Sequence, residues 1–417
     1  MQMMPTQIAF SRRPSPAVAS TAVKGRWRWS ALWPMSGASR EIAALDGLRG
    51  VAVLLVMVVH SCYELRSQTG NPAIADFLTG TVAIWTLGGS GVHLFFVLSG
   101  FLLFLRYARA MVGEQSFPST RSFYYRRALR IMPAYWASLI LLAVIFSHQY
   151  LTRQQVPNLV LHALVLHNWT QETMTSMNVY WTLAVECQYY LLLPALGWLL
   201  CRLYSARRFG TITALSVSAL FASTAVNLIR ILIRRRFPAL DPHARLLDVF
   251  DYLTVFGLGM MAAFVYVQAG RASPQRARSI RSGCRMAGLV GVFVLAGHVL
   301  LAGLKVNMAR LDYFGFNAMM GFSYAGIVLA ALLGWKTWSA FLSSAALRFA
   351  GGISYSLYLW HYPLYERVVV PVAVRYAVGW KQAACVVLGT CLIIVPLSLA
   401  SYLLFERPFF QFRRARD

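Results

Sequence analysis

Charge is scarce in this 417-residue sequence. Asp, Glu, Lys and Arg make up 13% of it and hydrophobic residues 58%, whereas about 25% charged residues is usual for soluble domains. That shortage excludes an ordinary soluble protein. Acidic residues are the scarcest, 14 against 39 Lys and Arg, for a net charge of +25. In a soluble chain such an excess points to nucleic acid. Here the basic residues gather between apolar runs, as the positive-inside rule expects of cytoplasmic loops, so no nucleic-acid partner is expected. The six cysteines are scattered, mostly inside apolar stretches, without the spacing of a zinc site or redox pair. They read as small packing residues. A phosphate-binding glycine loop, a helical pair of zinc ligands and a nucleophile elbow are also missing. A covalent serine mechanism therefore has no support, and no metal is expected.

Long apolar runs are what the sequence has in quantity. Ten stretches of about 20 residues, the length that spans a ~30 Å hydrocarbon core, fall at roughly 43–64, 82–106, 129–150, 179–202, 211–233, 246–269, 286–304, 313–334, 353–373 and 383–405. They predict an all-α integral membrane protein, a bundle of about ten transmembrane helices. Charge asymmetry between the loops orients both termini to the cytoplasm. One exception is Arg230, Arg234, Arg235 and Arg236 on the opposite side, which marks either a misplaced helix or an anion-binding cluster. Residues 1–40 contain no Asp or Glu and lack the apolar core of a signal peptide. They read as a disordered basic tail, an organellar leader, or sequence ahead of a true start at Met35. A transmembrane domain over 41–408 and a short basic cytoplasmic tail over 409–417 follow, with no soluble catalytic domain expected.

Polar residues inside these runs carry the chemistry. In "LDGLRGVAVLLVMVVH", residues 45–60, Arg49 and His60 flank an apolar stretch. Eleven positions put them about 16 Å apart along a helix and nearly on one face. Asp46, one turn before Arg49, can pair with it. Arg49 either snorkels to headgroups with His60 ending the helix, or both serve a cavity, for which Gly47 and Gly50 leave backbone room. In "GGSGVHLFFVLSGFLL", residues 88–103, the glycines and serines suit close helix packing, while His93 either joins His60 in a shared cavity or is structural. "FYYRRALRIMPAYW", residues 123–136, sets Arg127 and Arg130 one turn apart, either as topology signals or as forks for a phosphorylated ligand. Glu186 and Trp181 in "YWTLAVECQYYLLLP" and Tyr358 and His361 in "GISYSLYLWHYPLYE" complete the set. The carboxylate either orients a histidine, bonds a hydroxyl substrate or pairs with an arginine. Asp248 and Asp251 read as further partners for basic groups.

Taken in order, these segments and the closing "ERP" (Glu406–Pro408) resemble the membrane-bound acyltransferase 3 family over about Ala43 to Pro408. Each motif is modestly specific, and six in order are highly specific. The resemblance implies a bundle of about ten helices that moves an acyl group, most often acetyl, from cytoplasmic acyl-CoA to a hydroxyl of a glycan, lipid-linked sugar or similar alcohol. It implies essential roles for an arginine and a histidine in the first helix, here Arg49 and His60. The third-motif arginines match Arg127 and Arg130, and the acid of the fourth matches Glu186. Two positions depart: His93 stands where the family commonly has Asp, and Cys187 where a second Glu is common, so neither carboxylate role carries over.

The expected catalytic set is therefore His60 as general base, Arg49 on the thioester oxyanion or pantetheine arm, and Glu186 as orienting acid. Arg127 and Arg130 are expected to hold acyl-CoA, and Tyr358, His361, His93 and Trp181 the acceptor. The expected setting is a bacterial inner membrane, with a homo-oligomer or a separate extracytoplasmic acyl-accepting protein left open. The competing reading is a polytopic transporter or flippase without acyl transfer. The lack of an evident internal repeat counts against it.

Overall fold

A computed structural model of the protein describes residues 40–69, 82–169, 179–205, 248–304 and 313–409. The expected tail at 1–40, the apolar run at 211–233, the Arg230–Arg236 cluster and the tail at 409–417 lie outside them, residues 40 and 409 excepted. The side chains of Asp248 and Asp251 lie outside them too.

No strand occurs among the described residues. The principal helices are α1 (Arg40–Thr69), α2 (Val82–Met111), α3 (Thr120–Ile145), the short α4 (Val156–Ala163), α5 (Trp181–Ser205), α6 (Asp248–Arg271) and α7 (Pro274–Gly303). After α8 (Tyr313–Leu329) come the short α9 (Lys336–Leu342) and α10 (Ala345–Gly352), then α11 (Ser354–Leu364) and α12 (Val370–Tyr376). The described chain ends with α13 (Trp380–Gly389) and α14 (Val395–Ser401). Among the described residues, eight helical stretches are long and apolar enough to cross a membrane by length and composition. The ninth apolar run is helical from Ser354 to Tyr376 through a π-turn at Tyr365–Val369. At ~1.5 Å per residue it is ~34 Å long, but its tyrosines, His361, Glu366 and Arg367 keep it outside those eight.

Several helices start well before their apolar runs. α3 begins at Thr120 rather than near 129, capped by Ser119, whose hydroxyl accepts from the Ser122 amide at 3.4 Å. The arginine motif is thus helical. Likewise α7 starts at Pro274 rather than 286. Hydropathy registers only hydrocarbon depth, whereas a helix continues into the interface when arginine stems can reach water.

Glycine sets the closest helix contacts, as the small-residue density suggests. A Cβ on Gly100 of α2 would strike the Phe256 carbonyl of α6, and one on Gly259 would strike the Val97 carbonyl in return. At Gly47 and Gly50 the sequence reading is corrected. The space beside Arg49 is filled by backbone, because a Cβ there would meet the carbonyls of Leu342 and Leu347. α1 is thereby locked against α9 and α10, and Arg49 turns toward α3 and α5.

Candidate active site

Two polar regions lie along α1, separated by the apolar residues between Arg49 and His60. Toward its start, Asp46 is 3% exposed, and its Oδ1 sits 3.5 Å from Arg49 Nη1. Arg49 also feels the charges of Arg130, Arg127 and Glu186, which gathers three arginines and two carboxylates where α1, α3 and α5 converge. The Arg127 guanidinium lies 5.5 Å from the centre of the Tyr190 ring, a cation–π arrangement. Glu186 accepts a hydrogen bond from Ser99 of α2 at 2.5 Å. Among the described residues it has no histidine partner, and it is not on the cavity wall described below. Glu406 of the "ERP" motif completes the region. It is buried, takes a 2.5 Å hydrogen bond from Ser356, and interacts with the Arg130 charge.

Near the far end of α1 lies a cavity of about 390 Å3, lined by His60 and Tyr63, Gly89 and Val92 of α2, Trp181 of α5 and Tyr358 and Tyr362 of α11, among others. This lies within the size range of small-molecule sites. The Tyr358 hydroxyl is fixed between Thr182 Oγ1 at 2.6 Å and the Val179 carbonyl at 2.7 Å. That presents its ring to the cavity. Tyr362 meets the His60 ring edge-on, centroids 5.3 Å apart.

His60 Nδ1 lies 2.9 Å from the Val56 carbonyl and 3.2 Å from His361 Nε2. His361 is fully buried, with its own Nδ1 2.8 Å from the Tyr358 carbonyl. His361 therefore stands behind His60 rather than on the cavity wall.

His93 is elsewhere. Its Nε2 bonds Asn317 Oδ1 at 2.7 Å, and its ring packs against Tyr252 and Phe316. It lines neither the cavity nor the arginine cluster, because its position on α2 faces α6 and α8 while Gly88 and Gly91 face α1. Of the nine residues singled out from sequence, His60, Trp181 and Tyr358 share the cavity wall and His361 adjoins it. Arg49, Arg127, Arg130 and Glu186 form the charged region.

Sequence reading missed Glu64 and gave Glu406 no role. Glu64 is 4% exposed, one turn beyond His60, and accepts from Gln68 Nε2 at 3.2 Å. It also lies against Tyr362. Its spacing of four from His60 was the available signal.

The profile of the acyltransferase 3 family, described as an acyltransferase domain, matches residues 42–399. The chain is 23% identical over 355 residues to a peptidoglycan O-acetyltransferase OatA of Listeria monocytogenes, covering 78% of this chain and 49% of that protein. It is 24% identical over 341 residues to an O-acetyltransferase OatA of Staphylococcus aureus, covering 78% of this chain and 51% of that one. The chain thus spans about half the length of the curated relatives it matches. No solved structure matches it.

Proposed function

The chain belongs to the acyltransferase 3 family, and from that premise we propose that it is an integral membrane O-acyltransferase carrying acetyl from cytoplasmic acetyl-CoA to a hydroxyl of an envelope glycan. The relatives' names support the acetyl group and the glycan acceptor. The ten apolar runs support about ten spans, the loop charges support both termini in the cytoplasm, and the bacterial relatives support a bacterial inner membrane.

The observation that carries the mechanism is the division of α1. An arginine cluster flanks Arg49, and eleven positions on, His60 opens on an aromatic-lined cavity. The ~16 Å between them suits a donor gripped by its phosphates at Arg127 and Arg130, its pantetheine arm passing Arg49 so that the thioester reaches His60. Arg49 is then a guide for the arm rather than an oxyanion donor.

In the cavity His60 Nε2 takes the proton of the acceptor hydroxyl as its oxygen attacks the thioester carbonyl. The C–O bond forms, the C–S bond breaks, and the departing CoA thiolate recovers the proton from the imidazolium. The products are an ester and free CoA. Trp181 and Tyr358 offer the flat apolar faces that sugar rings stack on. No step calls for a metal.

Purified protein in nanodiscs, with radiolabelled acetyl-CoA and cell-envelope glycan as acceptor, tests this. Label should pass to glycan with the wild type and with neither Arg49→Ala nor His60→Ala. Label that stays in CoA across several envelope fractions refutes acyl transfer and returns the transporter reading.

A further inference from the structure

We propose that His361 is a positioning residue for His60: its buried imidazole accepts the Nδ1–H of His60 and so turns the His60 Nε2 lone pair into the cavity. The inference deepens the acyl-transfer reading and rests on it.

Carbonyl oxygens only accept hydrogen bonds, and that fixes both tautomers. His361 Nδ1 lies 2.8 Å from the Tyr358 carbonyl and 3.2 Å from that of Leu357, so Nδ1 carries the hydrogen. A neutral imidazole has one N–H, which leaves His361 Nε2 as an acceptor. Its neighbour is His60 Nδ1 at 3.2 Å, which also faces the Val56 carbonyl at 2.9 Å. His60 Nδ1 is therefore protonated and shared between the two acceptors. The lone pair of His60 is left on Nε2, on a residue that lines the cavity.

The Val56 carbonyl alone would select this tautomer. What His361 adds is a second acceptor, held rigidly by α11, that constrains the ring plane. It also adds an acceptor whose hydrogen bond strengthens once His60 becomes an imidazolium. This is the place a carboxylate holds in a hydrolase triad. Among the described residues no carboxylate bonds His60: Glu186 is taken by Ser99 and Glu64 by Gln68. The two rings are tilted by 56° with centroids 5.0 Å apart, so the contact is edge-directed rather than stacked.

Two variants separate this role from mere filling. In His361→Gln the amide oxygen stands where Nε2 stood and still accepts. His361→Phe keeps the ring volume and removes the acceptor. With nanodisc protein and acetyl-CoA, His361→Phe should lower kcat about 10- to 100-fold, the worth of one hydrogen bond to a charged group, with both KM values within about twofold. His361→Gln should recover most of that loss. Wild-type kcat in His361→Phe, or a change confined to KM, overturns the proposal.

A second measurement needs neither His361 variant and no turnover. Nitrogen-15 spectra of histidine-labelled wild type, assigned by the signal missing in His60→Gln, should show His60 protonated at Nδ1 and bare at Nε2. The opposite tautomer overturns the proposal whatever the kinetics. Absence of label transfer by the wild type would instead sink the acyltransferase reading, and the spectra would still judge the tautomer that the hydrogen bond requires.

Discussion

Ser99 of α2 and Glu186 of α5, 87 positions apart in sequence, share a 2.5 Å hydrogen bond beside the arginine cluster. Glu186 also interacts with the charges of Arg49 and Arg127. The hydroxyl thus fixes one oxygen of the carboxylate that counters the arginines. Removing the acid leaves three arginines with less compensation in a confined site, and Ser99→Ala frees the carboxylate to rotate. Ser99→Ala is expected to weaken acetyl-CoA use by about 10-fold or more, since a hydrogen bond to a charged group is worth about 1.5–3 kcal/mol. Glu186→Gln should cost more. Initial rates against donor concentration check this, and an unchanged donor dependence in both variants would remove Glu186 from the donor site.

Arg127 and Arg130 should separate donor from acceptor binding. Alanine at either position is expected to raise the KM for acetyl-CoA about 10-fold or more, leaving the acceptor KM within about twofold. Lysine should rescue poorly, because a point charge does not reproduce a planar fork and Arg127 also lies over the Tyr190 ring. Full rescue by Arg127→Lys would mean that the site needs only positive charge.

How much of this was legible in the sequence depends on whether one helix or two were involved. The separation of Arg49 from His60 follows from helical rise alone, since both lie on α1. Contacts between helices do not. His93 finds Asn317 224 positions away, and Ser90 finds Tyr324 at 2.5 Å. No periodicity signals either pairing, because lipid-facing and protein-facing sides of a membrane helix are similarly apolar. The same blindness made Gly47 and Gly50 look like open space, when α9 and α10 fill it. His361 was visible as an intramembrane histidine, but its position behind His60 depends on how α11 docks on α1. Glu64 stands four residues past the end of the 45–60 segment, where only its helical spacing from His60 signals it.

Neighbouring glycines should behave oppositely. A Cβ on Gly88 would collide with Val59, whereas one on Gly89 meets nothing within 4 Å and faces the cavity. Gly88→Ala is expected to destabilise the α1–α2 contact by about 1–3 kcal/mol, as overpacking does, and to lower the melting temperature in nanodiscs. Gly89→Ala should melt like wild type. Gly89→Leu should narrow the cavity, raising the acceptor KM with the donor KM unchanged. Loss of donor affinity instead would assign the cavity to the donor.

Outside the spanning helices, between α3 and α5, the His162 and His167 rings stack 4.5 Å apart at 11°. Both side chains are buried, and the His162 carbonyl is held by the Tyr135 hydroxyl at 2.6 Å. Burial pushes both imidazoles down from the ordinary 6.5, His167 to about 3, where the His162 charge adds to the effect. In the folded chain they stay neutral while the unfolded chain takes up protons near pH 6.5. The unfolded state then binds more protons below that pH, so stability is fully present above it and declines as pH falls toward about 3. The steepest slope is about 1.4 kcal/mol per pH unit for each histidine. The melting temperature in nanodiscs should therefore drop between pH 7.5 and 5, and His167→Phe, which keeps a stacking ring, should flatten that drop. A His167→Phe protein that loses stability with acid as steeply as wild type would trace the effect to other groups.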